Sequence, residues 1–345
     1  YFRGTAIFED ENKIIVNGKR IRADNIIIAT GSRPNRPMIP GIENARVLTS
    51  DEVFELKNVP ESVIILGGRF VALELAQILR HAGSEVYLFQ RSNRIIPNEE
   101  PEISEEMKNI MVDEGINIFT NTRIINAGLS SKSFVEVEIN NKLEKFYADY
   151  IILALGRVPN TENLNLKNIG VLTDENGHVK VDGTMKTSVE NIYAAGDVSG
   201  KPYLVTKAGK EGSVAAENAL LGNEKKIDYF SLPHAIFTNP NIASVGITEE
   251  KAREMNMNVK TRVLKMEYVP KAELIMNTKG LIKMVVDAET DVIMGVHILG
   301  YDAAEIIQAA SLIVKYRMTV DSVAEMFSVY PTMSESLKLA AQSFK

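Results

Sequence analysis

The chain contains no cysteine. That excludes a disulfide framework, a thiolate metal site and a cysteine nucleophile within these 345 residues. Basic charge is not in excess either. Lys and Arg number 39 against 45 Asp and Glu, with both signs interspersed, which argues against a nucleic-acid or anionic-membrane surface. No apolar run approaches the roughly 20 residues that cross a bilayer, and no signal-peptide pattern is present. A cytoplasmic setting is the expectation. The four histidines are isolated, without ligand spacing, so structural or surface roles and no metal site are expected. Short repeats and low-complexity tracts are also missing.

What is present is an ordinary globular balance, 45% hydrophobic and 24% charged. The length suggests two or three domains. Segment 1–31 alternates as strands and ends in the buried run DNIIIATG. Segment 32–60 is a proline-rich connection. Then SVIILGG predicts a buried strand, RFVALELAQILRHAG a helix of period 3.6 and EVYLF a second strand, together a βαβ unit. Helices are expected over 101–115, 207–221, 302–316 and 334–343. The strands beyond Asp228 suggest a separate α+β domain.

Gly67-Gly68-Arg69-Phe70-Val71-Ala72 stands where a dinucleotide fingerprint belongs, between a strand and a helix. The first glycine permits the tight turn, the small sixth residue permits close helix–strand packing, and the helix N-terminus attracts a pyrophosphate. Arg69 departs from the glycine of the fingerprint. It either crowds the pyrophosphate or swings out and pairs with it. After the second strand comes Gln90-Arg91-Ser92-Asn93-Arg94, with no acid to bond the ribose hydroxyls of NAD. Two arginines favour a 2′-phosphate, so NADP is preferred over NAD. A turn that binds nothing, flanked by solvated arginines, is the alternative.

Three stretches carry more information together: Ile28-Ala29-Thr30-Gly31-Ser32-Arg33-Pro34, Ala154-Leu155-Gly156-Arg157-Val158-Pro159-Asn160 and Ile192-Tyr193-Ala194-Ala195-Gly196-Asp197-Val198. In this order they resemble the pyridine nucleotide–disulfide oxidoreductases, over essentially the whole chain. The resemblance implies an α/β fold with two Rossmann-like nucleotide-binding domains and an α+β C-terminal dimerisation domain. Residues 1–55 and 157–226 would form the FAD domain, 56–156 the inserted NAD(P) domain, and 227–345 the homodimer interface. It implies that Asp197 accepts bonds from the FAD ribityl chain and that Ala6, Thr30, Gly31 and Ser32 contact the flavin nucleotide. Leu204 and Val205 would start a helix near the flavin ring. The Val71–Glu74 segment and Gly156 match nicotinamide-side positions.

The resemblance also implies an earlier strand–glycine turn–helix for FAD and a redox-active cysteine pair, so a preceding segment of roughly a hundred residues is expected, one mononucleotide-binding half plus the redox helix. A shortened, non-catalytic nucleotide-binding remnant is the alternative. Near the C-terminus, Tyr330-Pro331-Thr332-Met333-Ser334-Glu335 and LKLAAQ at 337–342 are similar to mercuric reductases, as are ALELAQ in the nucleotide helix and VPKA at 269–272. Pro331-Thr332 and Ser334-Glu335 also look like dihydrolipoamide dehydrogenase, which carries a histidine where Tyr330 stands. A phenol is a poor base at neutral pH. The expected activity is electron transfer from NADPH through FAD and a redox disulfide to a metal ion or small-molecule substrate, with Tyr330 and Glu335 as the catalytic candidates. An NADPH oxidase-type flavoenzyme, needing no cysteines, is a further alternative.

Overall fold

The computed structural model describes residues 1–222 and 224–345. Along the chain the first elements are β1 (Ala6–Asp10), β2 (Lys13–Val16), β3 (Lys19–Arg22), β4 (Ile26–Ile28), β5 (Ser32–Pro34), β6 (Val47–Thr49) and α1 (Ser50–Val53). There follow β7 (Ser62–Leu66), α2 (Phe70–His81), β8 (Glu85–Phe89), α3 (Pro101–Asp113), β9 (Asn117–Phe119), β10 (Arg123–Leu129), β11 (Ser133–Ile139), β12 (Lys142–Ala148) and β13 (Tyr150–Leu153). Then come β14 (Arg157–Pro159), β15 (Ile192–Ala194), α4 (Val205–Leu221), β16 (His234–Ile236), β17 (Asn241–Gly246), α5 (Glu249–Glu254) and β18 (Val259–Lys265). The last are α6 (Pro270–Leu274), β19 (Leu281–Asp287), β20 (Ile293–Gly300), α7 (Ala303–Lys315), α8 (Val320–Ala324) and α9 (Glu335–Gln342). Backbone contacts group residues 1–35 with 156–229, and 36–155 with 230–345.

In the first unit β1, β2 and β3 form an antiparallel meander, β4 runs parallel to β15, and β5 pairs antiparallel with β14. Phe8, Ile26, Ile28, Leu164, Ile192 and Val198 share one apolar cluster. Between 161 and 191 the described backbone makes a 3-10 turn at Leu166–Ile169 and the isolated bridges Thr173 to Val179 and Lys186 to Tyr193. Helix α4 seats Val214 and Ala215 against Met185, Tyr193 and Ala195.

In the second unit a five-stranded parallel sheet runs β6-β13-β7-β8-β9. All five residues of β7 are buried, as a central parallel strand covered on both faces requires. Helix α2 buries Ala72, Leu73, Leu75, Ala76 and Leu79, the i, i+3, i+4 face that its sequence predicts. Each fully buried leucine contributes roughly 1.5–3 kcal/mol. The helix ends at Ala82, and Gly83 takes a left-handed φ of +107°. Pro101 starts α3, where its missing N–H costs nothing. Strands β10, β11 and β12 make a separate antiparallel sheet. The C-terminal part is a five-stranded antiparallel sheet in the order β16-β17-β20-β19-β18, with α7 and α9 sharing its core. Ile236, Ile242, Leu281 and Leu299 of that sheet pack in one cluster with α2 and α3. No helix among the described residues is long and apolar enough to cross a membrane.

Candidate functional site

The turn after β7 is built from two glycines with separate reasons. Gly67 has a φ of +118°, and a Cβ there would lie 2.4 Å from the Ala154 carbonyl oxygen, so neither backbone nor space admits a side chain. A Cβ on Gly68 would come within 2.9 Å of Gln90 Cβ. The Gly68 carbonyl accepts the N–H of Ile96 at 2.6 Å. Ile96 is a buried β-branched residue held at a φ of +35°, a strained conformation that pins the 90–96 loop to the glycine turn.

Arg69 is the N-cap of α2, and no side chain caps the helix; the first turn carries no acid. The first N–H groups of α2 therefore have no intrahelical acceptor, and the dipole there favours an anion. Arg69 is exposed and makes no ion pair among the described residues. Phe70 and Val71 begin the helix, and Ala72 is 1% exposed, the close packing expected of a small sixth residue.

The two arginines of the following loop separate. Arg94 donates to the Pro97 carbonyl at 3.0 Å and to Glu250 at 2.6 Å. Arg91 is exposed, with no ion pair among the described residues. Gln90 is buried and spends its amide on Ser92 Oγ at 2.6 Å. Glu74 accepts the Phe237 N–H at 2.8 Å, and burial holds its carboxyl above the usual range.

The other cluster lies in the first unit. Ser32 donates its hydroxyl to Asp197 at 2.5 Å. Arg157 donates to Ser32 Oγ at 2.7 Å and to the Ser32 carbonyl at 2.9 Å, and its Nε lies 4.0 Å from Asp197. Arg157 stands in the 154–160 motif, where nothing local in the sequence marks this role. Thr30 donates to the Asn160 carbonyl at 2.8 Å, and Asn160 returns a bond to the Thr30 carbonyl at 2.9 Å. Gly31 has a φ of +68° and Gly156 one of +93°, and a Cβ at either would meet no atom within 4 Å. Ala6 is half-buried at the start of β1. Leu204 is the N-cap of α4 without a side-chain cap, and Val205 is 87% exposed.

Beneath Asp197 is a buried ion pair that the sequence did not announce. Lys207 Nζ lies 3.1 Å from Glu211, four residues on along α4. Glu211 also accepts the Gly196 N–H at 2.7 Å, the Ser199 hydroxyl at 2.9 Å and the Tyr229 hydroxyl at 2.6 Å. Burial and the Glu211 carboxylate together push the Tyr229 phenol well above its usual range. A Lys-x-x-x-Glu spacing was the only signal for the pair.

At the C-terminus Tyr330 is 69% exposed. Glu335 is the first residue of α9, and its Oε2 is buried without a hydrogen-bond partner. No hydrogen bond joins the two among the described residues. The histidines are engaged with their own surroundings: His81 lies 3.3 Å from Glu114, His178 bridges Asp174 and Tyr203, and His297 Nε2 lies 3.1 Å from the Ile247 carbonyl. His234 stacks on Phe70 with centroids 5.5 Å apart and pairs with Glu99 at 2.7 Å. A second buried cluster accompanies these. Lys283, 1% exposed, reaches Glu100 at 2.9 Å, Glu102 at 2.8 Å and Glu249 at 2.7 Å. Burial opposes the lysine's charge, but the three carboxylates outweigh it and raise its pKa.

Comparison with known proteins gives this geometry its context. The family model for pyridine nucleotide-disulphide oxidoreductases matches residues 1–212, and that for their dimerisation domain matches residues 232–341. The chain is 41% identical over 345 residues to a mercuric reductase of Lysinibacillus sphaericus, covering 99% of this chain and 63% of that protein. It is 40% identical to a mercuric reductase of Staphylococcus aureus, with the same coverage. A dihydrolipoyl dehydrogenase of Thermus scotoductus is 36% identical, covering 99% of this chain and 74% of the relative. Among solved structures, an HOCl-induced flavoprotein disulfide reductase from Escherichia coli superposes with a TM-score of 0.89 at 28% identity, covering 99% of this chain and 79% of that one. The chain thus spans 63% of the length of the two mercuric reductases. With the first family model spanning both the glycine turn and the Asp197 turn, and the dimerisation model following it in order, the chain belongs to the pyridine nucleotide-disulphide oxidoreductase family.

Proposed function

We propose that this protein is an FAD-dependent NADPH oxidoreductase whose final acceptor is mercuric ion. The observation that carries the acceptor is the 41% identity to a mercuric reductase across 99% of the chain, with an exposed Tyr330 at the C-terminal site. In the parse we adopt, residues 1–55 and 157–226 hold FAD, 56–156 hold the nicotinamide nucleotide, and 227–345 pair two copies into a homodimer.

The residues present fit both groups. Asp197, Ser32 and Arg157 form a polar donor and acceptor set beside the bare backbone of Gly31. FAD, when bound, supplies the two-electron relay between nicotinamide and disulfide. Asp197 accepts from the ribityl chain, while Ala6, Thr30, Gly31 and Ser32 offer backbone to the flavin nucleotide. Leu204 and Val205 open a helix N-terminus whose dipole favours negative charge. In the other unit Gly67 and Gly68 bring backbone close to a pyrophosphate, and the N–H groups of Phe70, Val71 and Ala72 donate to it. Arg69 would add positive charge beside the same phosphates, and Arg91 would pair with the 2′-phosphate. Gln90 holds the loop that carries Arg91. Glu74 is the nicotinamide-side candidate of this unit, and Gly156 the one of the first unit. Thiol–disulfide exchange requires cysteines that these 345 residues do not contain.

Tyr330 and Glu335 act at the acceptor, Tyr330 by orienting the substrate and Glu335 by polarising its neighbour. Tyr330→Phe in the full-length enzyme is expected to slow mercuric-ion reduction by roughly tenfold, 1.4 kcal/mol of barrier, while stopped-flow flavin reduction by NADPH keeps its rate. Unchanged rates in both half-reactions remove Tyr330 from the mechanism. A dihydrolipoamide-dehydrogenase-like activity is the second reading, favoured by the 36% identity to the Thermus enzyme. NADPH oxidation that responds to a small disulfide and not to mercuric ion would select it.

A further inference from the structure

The five residues Gly196–Gly200 form the turn that carries Asp197. Lys207 and Glu211 grip this turn at both ends. Glu211 accepts the N–H of Gly196 at 2.7 Å, and Lys207 donates to the Gly196 carbonyl at 3.2 Å and the Gly200 carbonyl at 2.9 Å. The Ser199 hydroxyl lies 2.9 Å from Glu211 and 3.3 Å from Lys207. Both side chains are nearly closed to solvent, Lys207 at 4% and Glu211 at 1%. Tyr229 occupies the remaining carboxylate oxygen at 2.6 Å.

Helix stability does not account for this pair. Lys207 lies in the first turn of α4, where a positive charge opposes the helix dipole. Burying two charges is unfavourable unless each is fully hydrogen-bonded. Apart from the Tyr229 hydroxyl, the bonds that meet this requirement run to the Asp197 turn. The turn's outer side meets Ser32 and Arg157, so Asp197 stands between a set of buried bonds and an accessible polar set.

We propose that Lys207 and Glu211 are positioning residues for the flavin, holding the Gly196–Gly200 turn in the shape that presents the Asp197 carboxylate. The inference rests on the reading of Asp197 as an FAD ligand. Its test is FAD dissociation from the full-length protein, followed by flavin fluorescence on dilution, for Glu211→Gln, Lys207→Met, Asp197→Asn and the double variant Asp197→Asn/Glu211→Gln. Glu211→Gln and Lys207→Met are each expected to raise the FAD dissociation constant about tenfold and to shift the visible spectrum of the bound flavin. Because they act through Asp197, adding Glu211→Gln to Asp197→Asn is expected to cause no further loss. Additive losses, or single variants that hold FAD as the parent does, overturn the inference while leaving Asp197 as a ligand. Parent-like FAD retention by Asp197→Asn overturns the reading of Asp197 and the inference with it. Tyr229→Phe removes one donor from Glu211 and keeps the ion pair; it is expected to weaken FAD by about threefold and decides the matter if the ion-pair variants do not fold.

Discussion

The Asp197 turn and the Gly67–Gly68 turn handle charge in opposite ways. Around Asp197 the protein answers its own charges: Lys207 with Glu211, Asp197 with Ser32, and Arg157 with Ser32 and with Asp197 at longer range. Around Gly67 and Gly68 it does not. Helix α2 has no side-chain cap and no acid in its first turn, Arg69 and Arg91 make no ion pair among the described residues, and Glu74 is turned to the Phe237 N–H. The difference is one of preorganisation. A turn held by buried charges has its shape before any ligand arrives. The glycine turn instead offers an uncapped helix N-terminus beside Arg69, and its shape comes from steric closure at Gly67 and from the strained Ile96 contact.

The largest loss is expected from the buried charges that precede α3. Glu99 and Glu100 precede α3, and both are buried against the C-terminal sheet. Lys283→Met leaves Glu100 buried without its cation, a loss of about 3–5 kcal/mol that chemical denaturation would measure. A value near zero would mean that the three carboxylates shed their charge on mutation. The same cluster gives an acid-sensitive stability. Burial lowers the pKa of His297 from its ordinary 6.5, so the unfolded chain binds a proton there that the native state refuses. Burial raises Glu99, but His234 and Ser244 outweigh it and leave the carboxyl below 4.5. Both groups contribute stability at neutral pH. The His297 part is lost as pH falls below 6.5 toward its native value, and the Glu99 part as pH falls below 4.5 through its own. In His297→Gln the onset of acid destabilisation, read from melting temperature against pH, is expected to move from the histidine range to the carboxylate range. An unmoved onset would assign the loss to other groups.

Next in size is Arg91→Ala. If Arg91 pairs with the 2′-phosphate, kcat/KM for NADPH falls by about 1.5–3 kcal/mol, roughly ten- to a hundredfold, while that for NADH holds. Equal losses for the two nucleotides would make Arg91 a general phosphate contact. Arg94 sharpens the test: its guanidinium already bonds Glu250 and the Pro97 carbonyl, so a nucleotide preference is expected to follow Arg91 and not Arg94.

Much of this was legible along the chain. SVIIL, the glycine turn and the periodic run to His81 became β7, the turn and α2, because a continuous apolar run and a 3.6-residue stripe are local signals. The motifs that end in Thr30-Gly31-Ser32 and Gly196-Asp197 were read in sequence, and the bond between Ser32 and Asp197 appeared only in the fold. Helices α5, α6 and α8, of five or six residues, are too short to show a period. Nothing local to the i, i+4 spacing of Lys207 and Glu211 shows that their side of the helix is covered. Lys283 is a single lysine in an apolar strand, and its partners at 100 and 102 are about 180 residues away in the chain.

The smallest expected effect isolates what the open turn owes to Arg69. In the fingerprint that position is glycine so that backbone can approach the pyrophosphate. In the site proposed here that approach falls to Gly67 and Gly68, and the arginine stands at the N-cap with extended backbone, φ −109° and ψ −168°, which any residue adopts without strain. Replacing it by serine removes one exposed charge and adds a hydroxyl able to cap the N–H groups of α2. These effects oppose each other in nucleotide binding: the lost charge costs affinity, and the new cap both steadies the helix and competes for the donors. The expected result for Arg69→Ser is a slightly more stable protein, with a melting temperature raised by the cap, and a twofold to fivefold weaker KM for both NADPH and NADH, about 0.5–1 kcal/mol. The loss should shrink as ionic strength rises, because an exposed charge acts through screened attraction. A gain in affinity would show that Arg69 crowds the pyrophosphate, and that the open turn is partly blocked by its own cation.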